Sequence, residues 1–304
     1  MQIKIALVKP IGRLDYLTRT LIDGLESLVK TGEVVLVGKV TNTDLVILSS
    51  YNHSELAEQS EEIEENKAWA KTIFVDGSEL GGNRRYTEIA KIDEEMLSKC
   101  ALYFRREKPY PDGVLPLPFG IESRQIAYSP RVKKDIDFVC IFGQDKFPPL
   151  RAKVRDVLEE FCEKEKFSYR TKQTNFLFWN IYSPRAQKRF YKVLARAKVG
   201  ISVGGGGFDT ARFWEILGNN CLLLTESMDI YPDNGASELA YSRISQFKNL
   251  DGFKSQLKKM GEYVRTQYPP ENLDSEYEEI LTHHSSTSRV QCILDEAQAR
   301  GIIL

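Results

Sequence analysis

An excess of charge of one sign is missing from this sequence. Its 304 residues carry 42 Lys and Arg against 43 Asp and Glu, for a formal net charge of −1. Non-specific nucleic-acid binding as a whole-chain property needs clustered excess positive charge, so the composition argues against that class and leaves only a local basic patch open. Long apolar runs are also missing: none approaches the roughly 18 residues of a membrane span, and no transmembrane helix is expected. The N-terminal MQIKIALVKPIG holds a short apolar run without the small-residue cleavage signature of a signal peptide. Cysteine is sparse. Cys100, Cys140, Cys162, Cys221 and Cys292 lie far apart, with no CxxC and no Cys/His cluster, which argues against a structural zinc site or a disulfide framework. Reduced core thiols in a cytoplasmic protein are the expectation. No repeat of 20–50 residues and no low-complexity stretch is found.

What is present is an alternation of short apolar runs with amphipathic stretches, the pattern of parallel α/β units. The spacing predicts strands at Ile3–Val8, Val34–Val37, Leu45–Leu48, Thr72–Val75, Leu102–Phe104 and Val114–Leu117. Between them it predicts a helix from about Leu14 to Lys30, with Leu17, Leu21, Leu25 and Leu28 on one face, and an acidic surface helix over Ser54–Trp69. Segment 120–134 is polar, lacks a period and reads as a linker. The rhythm restarts at Phe138–Phe142. A helix follows with Leu150, Val154, Val157, Leu158, Phe161 and Cys162 on one face, begun by Pro148 and Pro149. Further helices are expected at 185–197, from about Thr210 to Leu217, near 250–265 and at 286–299, with strands at Val199–Val203 and Cys221–Leu224. The expected class is α/β, with two Rossmann-like domains over residues 1–125 and 135–304 facing a central cleft. Ligand sites then belong in loops after strand carboxyl ends.

The most informative stretch is KVGISVGGGGFDTARFWEILGNNCLLLTE, residues 198–226. It reads strand, four-glycine turn, helix, strand. Gly204, Gly205, Gly206 and Gly207 let the backbone approach a ligand closely. Asp209 or Thr210 is placed to cap the next helix, whose free N–H groups and positive dipole end suit a phosphate. Arg212 adds a charge-assisted contact. Glu215, three residues on, shares its face and suits the two ribose hydroxyls of a nucleotide. The same residues also fit a plain packing turn with a surface ion pair. An NAD site is a second nucleotide reading: Gly204 and Gly206 match the start of GxGxxG, and Glu226 stands about 20 residues on, where a ribose-binding acid belongs. However, Asp209 replaces the third glycine.

The stretch YKVLARAKVGISVGGGGFDTARFWEILGNNCLLLTES resembles the C-terminal domain of GT-B glycosyltransferases, in particular the group-1-like branch with spore-maturation and exostosin-like members. Tyr191, Leu194, Thr210, Arg212, Glu215, Gly218 and Leu222–Leu224 carry the likeness. Gly143 and Arg151 in IDFVCIFGQDKFPPLRAKVRDVLEEF match the opening strand and helix of that domain, and His284 and Arg289 match its tail. The resemblance runs from residue 136 onward. It departs from many retaining members, which carry two glutamates eight apart, because Glu215 has no such partner, and Asn219 and Asn220 replace a small apolar-glycine run. Retaining and inverting outcomes both stay open.

The resemblance implies a glycosyltransferase using a nucleotide sugar, a UDP-sugar first, with no metal cofactor. It also implies that the last helix crosses back to the first domain. Gly204–Gly207 and Thr210 would cradle the diphosphate, Arg212 with Lys146 or Arg151 would neutralise it, and Glu215 would hold the ribose. The single DxD, Asp135-Ile136-Asp137, precedes its strand and reads as a capping or surface feature. An acceptor-side base is sought after the strands of the first half. Asp76 and His53 are the leading candidates, beside Asp15, Tyr51, Glu79, Arg105, Arg106 and Glu107. As simple structure, Asp76 would cap a turn, His53 would precede an N-cap at Ser54, and His283 and His284 would face solvent near a helix start. The acceptor (glycan, lipid-linked, protein or nucleic acid) is not specified by spacing. Helix 185–197 carries Arg185, Lys188, Arg189, Lys192 and Arg196 on one side, a solvated face or a contact for an anionic surface. The competing classes are a non-catalytic nucleotide- or glycan-binding protein of the same fold and an NAD-dependent oxidoreductase.

Overall fold

A computed structural model describes residues 2–12, 14–78, 91–142, 148–171, 184–232 and 238–304. The chain divides into two compact units. Unit 1 comprises Met1–Glu122, Asp229–Asn234 and His284–Leu304; unit 2 comprises Ser123–Met228 and Gly235–His283.

Unit 1 begins with β1 (Ile3–Val8), α1 (Tyr16–Thr31), β2 (Val34–Val37) and β3 (Leu45–Ser50). It continues with α2 (Leu56–Gln59), α3 (Glu61–Glu65), β4 (Thr72–Asp76), α4 (Glu94–Lys99), β5 (Leu102–Arg105) and β6 (Val114–Pro116). The strands form one parallel sheet in the order β2-β1-β3-β4-β5-β6. Every residue of β3 and β4 is buried, as strands covered on both faces require. Asp15 caps α1 by accepting from the amides of Leu17 and Thr18, and Gly32, in a left-handed conformation, ends it. Leu17, Leu21, Leu25 and Leu28 are buried as their spacing predicted.

The helix expected over Ser54–Trp69 is not continuous. It is a 3-10 turn at His53–Glu55, then α2, α3 and a second 3-10 turn at Trp69–Lys71. Glu58, Glu61, Glu62, Glu64 and Glu65 place like charges three and four residues apart, which weakens one long helix. The buried Gln59 instead donates its amide to the carbonyls of Lys9 and Ser49, so packing fixes the break. The cap of the first turn is Asn52, not Ser54: its side chain accepts from the Ser54 amide.

Unit 2 contains β7 (Ile136–Val139), α5 (Pro149–Glu165), β8 (Tyr169–Arg170), α6 (Pro184–Ala195) and β9 (Ala197–Ser202). α7 (Ala211–Leu217), β10 (Leu222–Glu226), β11 (Ile244–Phe247), α8 (Leu250–Thr266) and α9 (Leu273–His284) follow. Its parallel sheet has the order β11-β10-β9-β7-β8. The core gathers Phe138, Val154, Leu158, Cys162, Val199, Ile201, Leu222, Leu224, Phe253 and Leu257. Asn219 pins the segment after residue 122 to this unit. Its amide donates to the carbonyls of Gln125 and Glu215, and its side-chain oxygen accepts from the Ala127 amide. Asn220, at a φ of 53°, bridges Arg243 and Asp274. The two asparagines that depart from the family pattern therefore do structural clamping here.

α10 (Ser286–Ala299) packs on α1 within unit 1. A Cβ at Gly24 would lie 2.3 Å from the Ser286 carbonyl oxygen, so only glycine permits this approach. All five cysteines are free thiols. Cys140, Cys162 and Cys221 are core residues, whereas Cys292 is exposed on the outer side of α10 and departs from the core-thiol expectation.

Candidate functional site

In unit 2 the glycine turn joins β9 to α7. β9 comes close to α7 through Gly200, where a Cβ would sit 2.6 Å from Ile216. Thr210 occupies the N-cap position but its side chain makes no capping bond; its hydroxyl lies 3.2 Å from that of Ser202. Asp209 is buried and accepts from the indole N–H of Trp214 at 2.8 Å. The two expected caps thus lock the turn to β9 and to the core face of α7. Within the turn, the Gly204 amide donates to Glu226 at 2.9 Å and the Gly205 amide to the Gly207 carbonyl at 2.9 Å. These two amides are satisfied inside the protein. Arg151, in the first turn of α5, donates to the Val203 carbonyl at 3.1 Å and lies over the Phe142 ring at 5.2 Å. The structure therefore brings Arg151 and Gly204–Gly207 together. Gly143 and Lys146 lie outside the described residues.

Arg212 and Glu215 meet as their spacing predicted, at 2.5 Å. Glu215 is 6% exposed, and its other carboxylate oxygen accepts from the Tyr191 hydroxyl at 3.2 Å. The Arg212 guanidinium stacks on Phe190 at 3.8 Å from the ring centroid, a cation–π contact. Inner-face residues of α6 thus contact both Arg212 and Glu215 of α7. Helical periodicity gave Phe190 only as a core residue; its adjacency to Arg212 depends on how α6 packs beside α7.

In unit 1, Asp76 ends β4 with no exposed surface. Its carboxylate receives His53 Nε2 at 3.0 Å, the Tyr103 hydroxyl at 2.7 Å, Arg105 Nη1 at 2.5 Å and the Ser78 amide at 2.8 Å. It caps its turn and also binds a cation, a phenol and an imidazole. Burial alone would raise its pKa, but His53, Arg105 and the Ser78 side chain hold it below the usual carboxylate range. The Asp76 carboxylate is thus fully buried and tied to His53, Tyr103, Arg105 and Ser78. His53 is 28% exposed, with Nδ1 3.8 Å from Asp93. Burial opposes its protonation, yet Asp76 and Asp93 outweigh this and raise its pKa, with Arg105 acting in the opposite direction.

Among the other first-half candidates, Asp15 is a helix cap, Arg105 and Glu107 are buried, and Arg106 stacks on Phe119 at 4.3 Å. Tyr51 is 38% exposed, and Glu79 lies outside the described residues. His284 does not face solvent. It ends α9, is 2% exposed, and its Nδ1 lies 3.1 Å from Arg289; His283 is exposed. Asp135 pairs with Arg196 at 2.7 Å and Asp137 with Lys198 at 2.7 Å, so the DxD is a pair of surface ion bridges. Among the described residues no cluster of His, Cys, Asp and Glu is placed to hold a metal ion, and no helix is long and apolar enough to cross a membrane.

No family model and no curated relative matches the sequence. Solved structures do match. One is an alpha-glucosyltransferase in complex with UDP and a 13-mer DNA containing a HMU base, at 10% identity over 97% of this chain and 99% of that one, with a TM-score of 0.60. A structure of alpha-glucosyltransferase with UDP and a DNA carrying a central A:G mismatch matches at 11% identity, 98% and 99% coverage and a TM-score of 0.62. A glycosyltransferase from Rickettsia africae ESF-5 matches at 9% identity, 98% coverage of both chains and a TM-score of 0.56. Likeness over whole chains at such low identity speaks to architecture, and with two parallel α/β units in place the chain has the GT-B glycosyltransferase fold.

Proposed function

We propose that this protein transfers a sugar from a nucleoside-diphosphate sugar, UDP-linked, to an acceptor hydroxyl, without a bound metal ion, and that unit 2 serves the donor and unit 1 the acceptor. The array Tyr191–Glu215–Arg212–Phe190 carries this reading. A carboxylate has about four lone-pair sites. Glu215 accepts from Tyr191 and Arg212, which fix its carboxylate in one orientation, and the ribose hydroxyls are assigned to that carboxylate. Arg212 is held in place by Glu215 and Phe190, so its charge is preorganised for the leaving diphosphate. Arg151, which reaches the Val203 carbonyl and Gly205, adds a second cation at the glycine turn, whose Gly204 and Gly205 amides are bonded within the protein.

In unit 1, His53 is the proton acceptor and Asp76 its positioning partner. With Nε2–H donated to Asp76, Nδ1 carries the lone pair that takes the proton of the acceptor hydroxyl as the new glycosidic bond forms. Asp93 beside Nδ1 then favours the imidazolium. The anionic class of acceptor or surface is supported by α6, where Arg185, Lys188, Arg189 and Lys192 are all exposed.

The test is a thermal-shift panel of UDP, GDP, ADP, CMP, dTDP and NAD, because a ligand that binds only the native state raises its midpoint. The expected result is a shift with UDP that is lost in Glu215→Gln and Arg212→Ala, together with slow hydrolysis of the matching nucleotide sugar. A shift with NAD alone would replace the reading by an oxidoreductase. Nucleotide binding without donor turnover would replace it by a non-catalytic binding protein.

A further inference from the structure

The parallel register of β4 and β5 aligns Phe74 with Tyr103 and Asp76 with Arg105. Strand alternation then puts Tyr103 and Arg105 on the face that carries Asp76. Both reach the same carboxylate oxygen: the Tyr103 hydroxyl and Arg105 Nη1 bind Oδ2, while His53 Nε2 and the Ser78 amide bind Oδ1. Arg105 and Asp76 have no exposed surface, so solvent does not screen them from each other. Arg105 is fixed further by donating Nε to the Glu107 carbonyl at 2.8 Å and Nη1 to the Lys91 carbonyl at 3.4 Å. A cation locked on one oxygen weakens the field that the carboxylate exerts on the imidazole at the other.

We infer that Arg105 and Tyr103 are positioning residues that set the proton affinity of His53 through the shared carboxylate of Asp76. This rests on the assignment of His53 as the base. Among the described residues the groups facing His53 are Asp76 from β4, Asp93 ahead of α4, Arg105 from β5 and the Phe74 ring 6.2 Å away, while Asn52 and Glu55 of its own turn are hydrogen-bonded to each other. Asp76 and Asp93 favour the imidazolium; burial opposes it, and of the charged groups Arg105 does so. Without Arg105, His53 would hold its proton to higher pH and a smaller fraction would be ready to accept one at neutrality.

The experiment is an NMR titration of the imidazole carbon-bound protons, readable because the chain has only three histidines. His53→Asn assigns the resonance. Arg105→Gln is expected to raise the midpoint of His53 by about one pH unit, the scale of a charge removed at this range. Tyr103→Phe, which keeps the ring and loses one bond to Asp76, is expected to raise it by roughly half as much. An unchanged His53 midpoint in a folded Arg105→Gln protein would overturn the inference. Should that variant not fold, Tyr103→Phe decides in the same way. The titration needs no donor or acceptor, so its outcome is separate from that of the transferase reading. Where turnover is measurable, the acidic limb of kcat/KM must move with the titration.

Discussion

A methyl group at Gly200 probes the seam between β9 and α7, the helix that carries Arg212 and Glu215. The Cβ of Gly200→Ala would sit 2.6 Å from both Cγ1 and Cγ2 of Ile216 and 2.9 Å from its Cδ1. Two of these atoms branch directly from the Ile216 Cβ and cannot swing away, so α7 itself must move off β9. Overpacking of this kind costs about 1–3 kcal/mol. For a unit of 150–250 residues each kcal/mol lowers the midpoint by roughly 2–4 °C, which predicts a fall of roughly 2–12 °C in differential scanning calorimetry. Ile216→Ala removes all three clashing atoms and by itself leaves a cavity that costs about 2–5 kcal/mol. In the double variant the new methyl enters the vacated space, so the two losses must fall short of their sum by about 1–3 kcal/mol. On the proposed function, UDP binding should weaken in Gly200→Ala and recover in part in the double variant, because Arg212 and Glu215 ride on α7. Additivity within about 0.5 kcal/mol would refute the close seam between β9 and α7.

Asp76→Asn leaves the Arg105 guanidinium buried without its counter-charge, so chemical denaturation should show a loss of about 3–5 kcal/mol, far more than for an exposed pair such as Arg196 with Asp135. His53 contributes to stability in a defined pH window. Its folded pKa lies above the unfolded value, so its stabilising share is complete below about pH 6.5 and disappears as pH rises through the folded pKa. The stability gap between wild type and His53→Asn should therefore be largest under mildly acidic conditions and close at alkaline pH, and a gap that widens with pH would be contrary. If the α6 face engages an anionic partner, Lys188→Glu with Arg189→Glu should abolish binding to a polyanionic probe such as duplex DNA. Four phosphate contacts would give a log–log salt slope of about −3 to −4, and binding indifferent to salt would discount the face.

The parallel cores are legible because β3, β4 and β10 carry short apolar runs (LVIL, IFV and LLL) that are buried throughout. The meeting of Arg212 with Glu215 was legible because helical spacing alone places them together. Residues brought together by tertiary packing were not. β8 has two residues and α4 has six, too short to show a period. Asp93 belongs to no periodic pattern, so its place beside His53 had no local signal. Arg105 was flagged as a residue following a strand, yet it is the last residue of β5, and its partner Asp76 is set by strand register, which the sequence does not display. His284 was misplaced because α9, weakly amphipathic and ending at that residue, was not recognised, so a buried helix end read as an exposed helix start.

The return of α10 to unit 1 imposes an order on synthesis. The ribosome releases every strand of the first sheet, then the whole of unit 2, and only afterwards the helix that covers α1 at Gly24. Until residues 286–299 emerge, the α1 surface around Gly24 has no cover while unit 2 already has its full sequence. The nascent chain therefore has the whole sequence of its second unit before it can close its first.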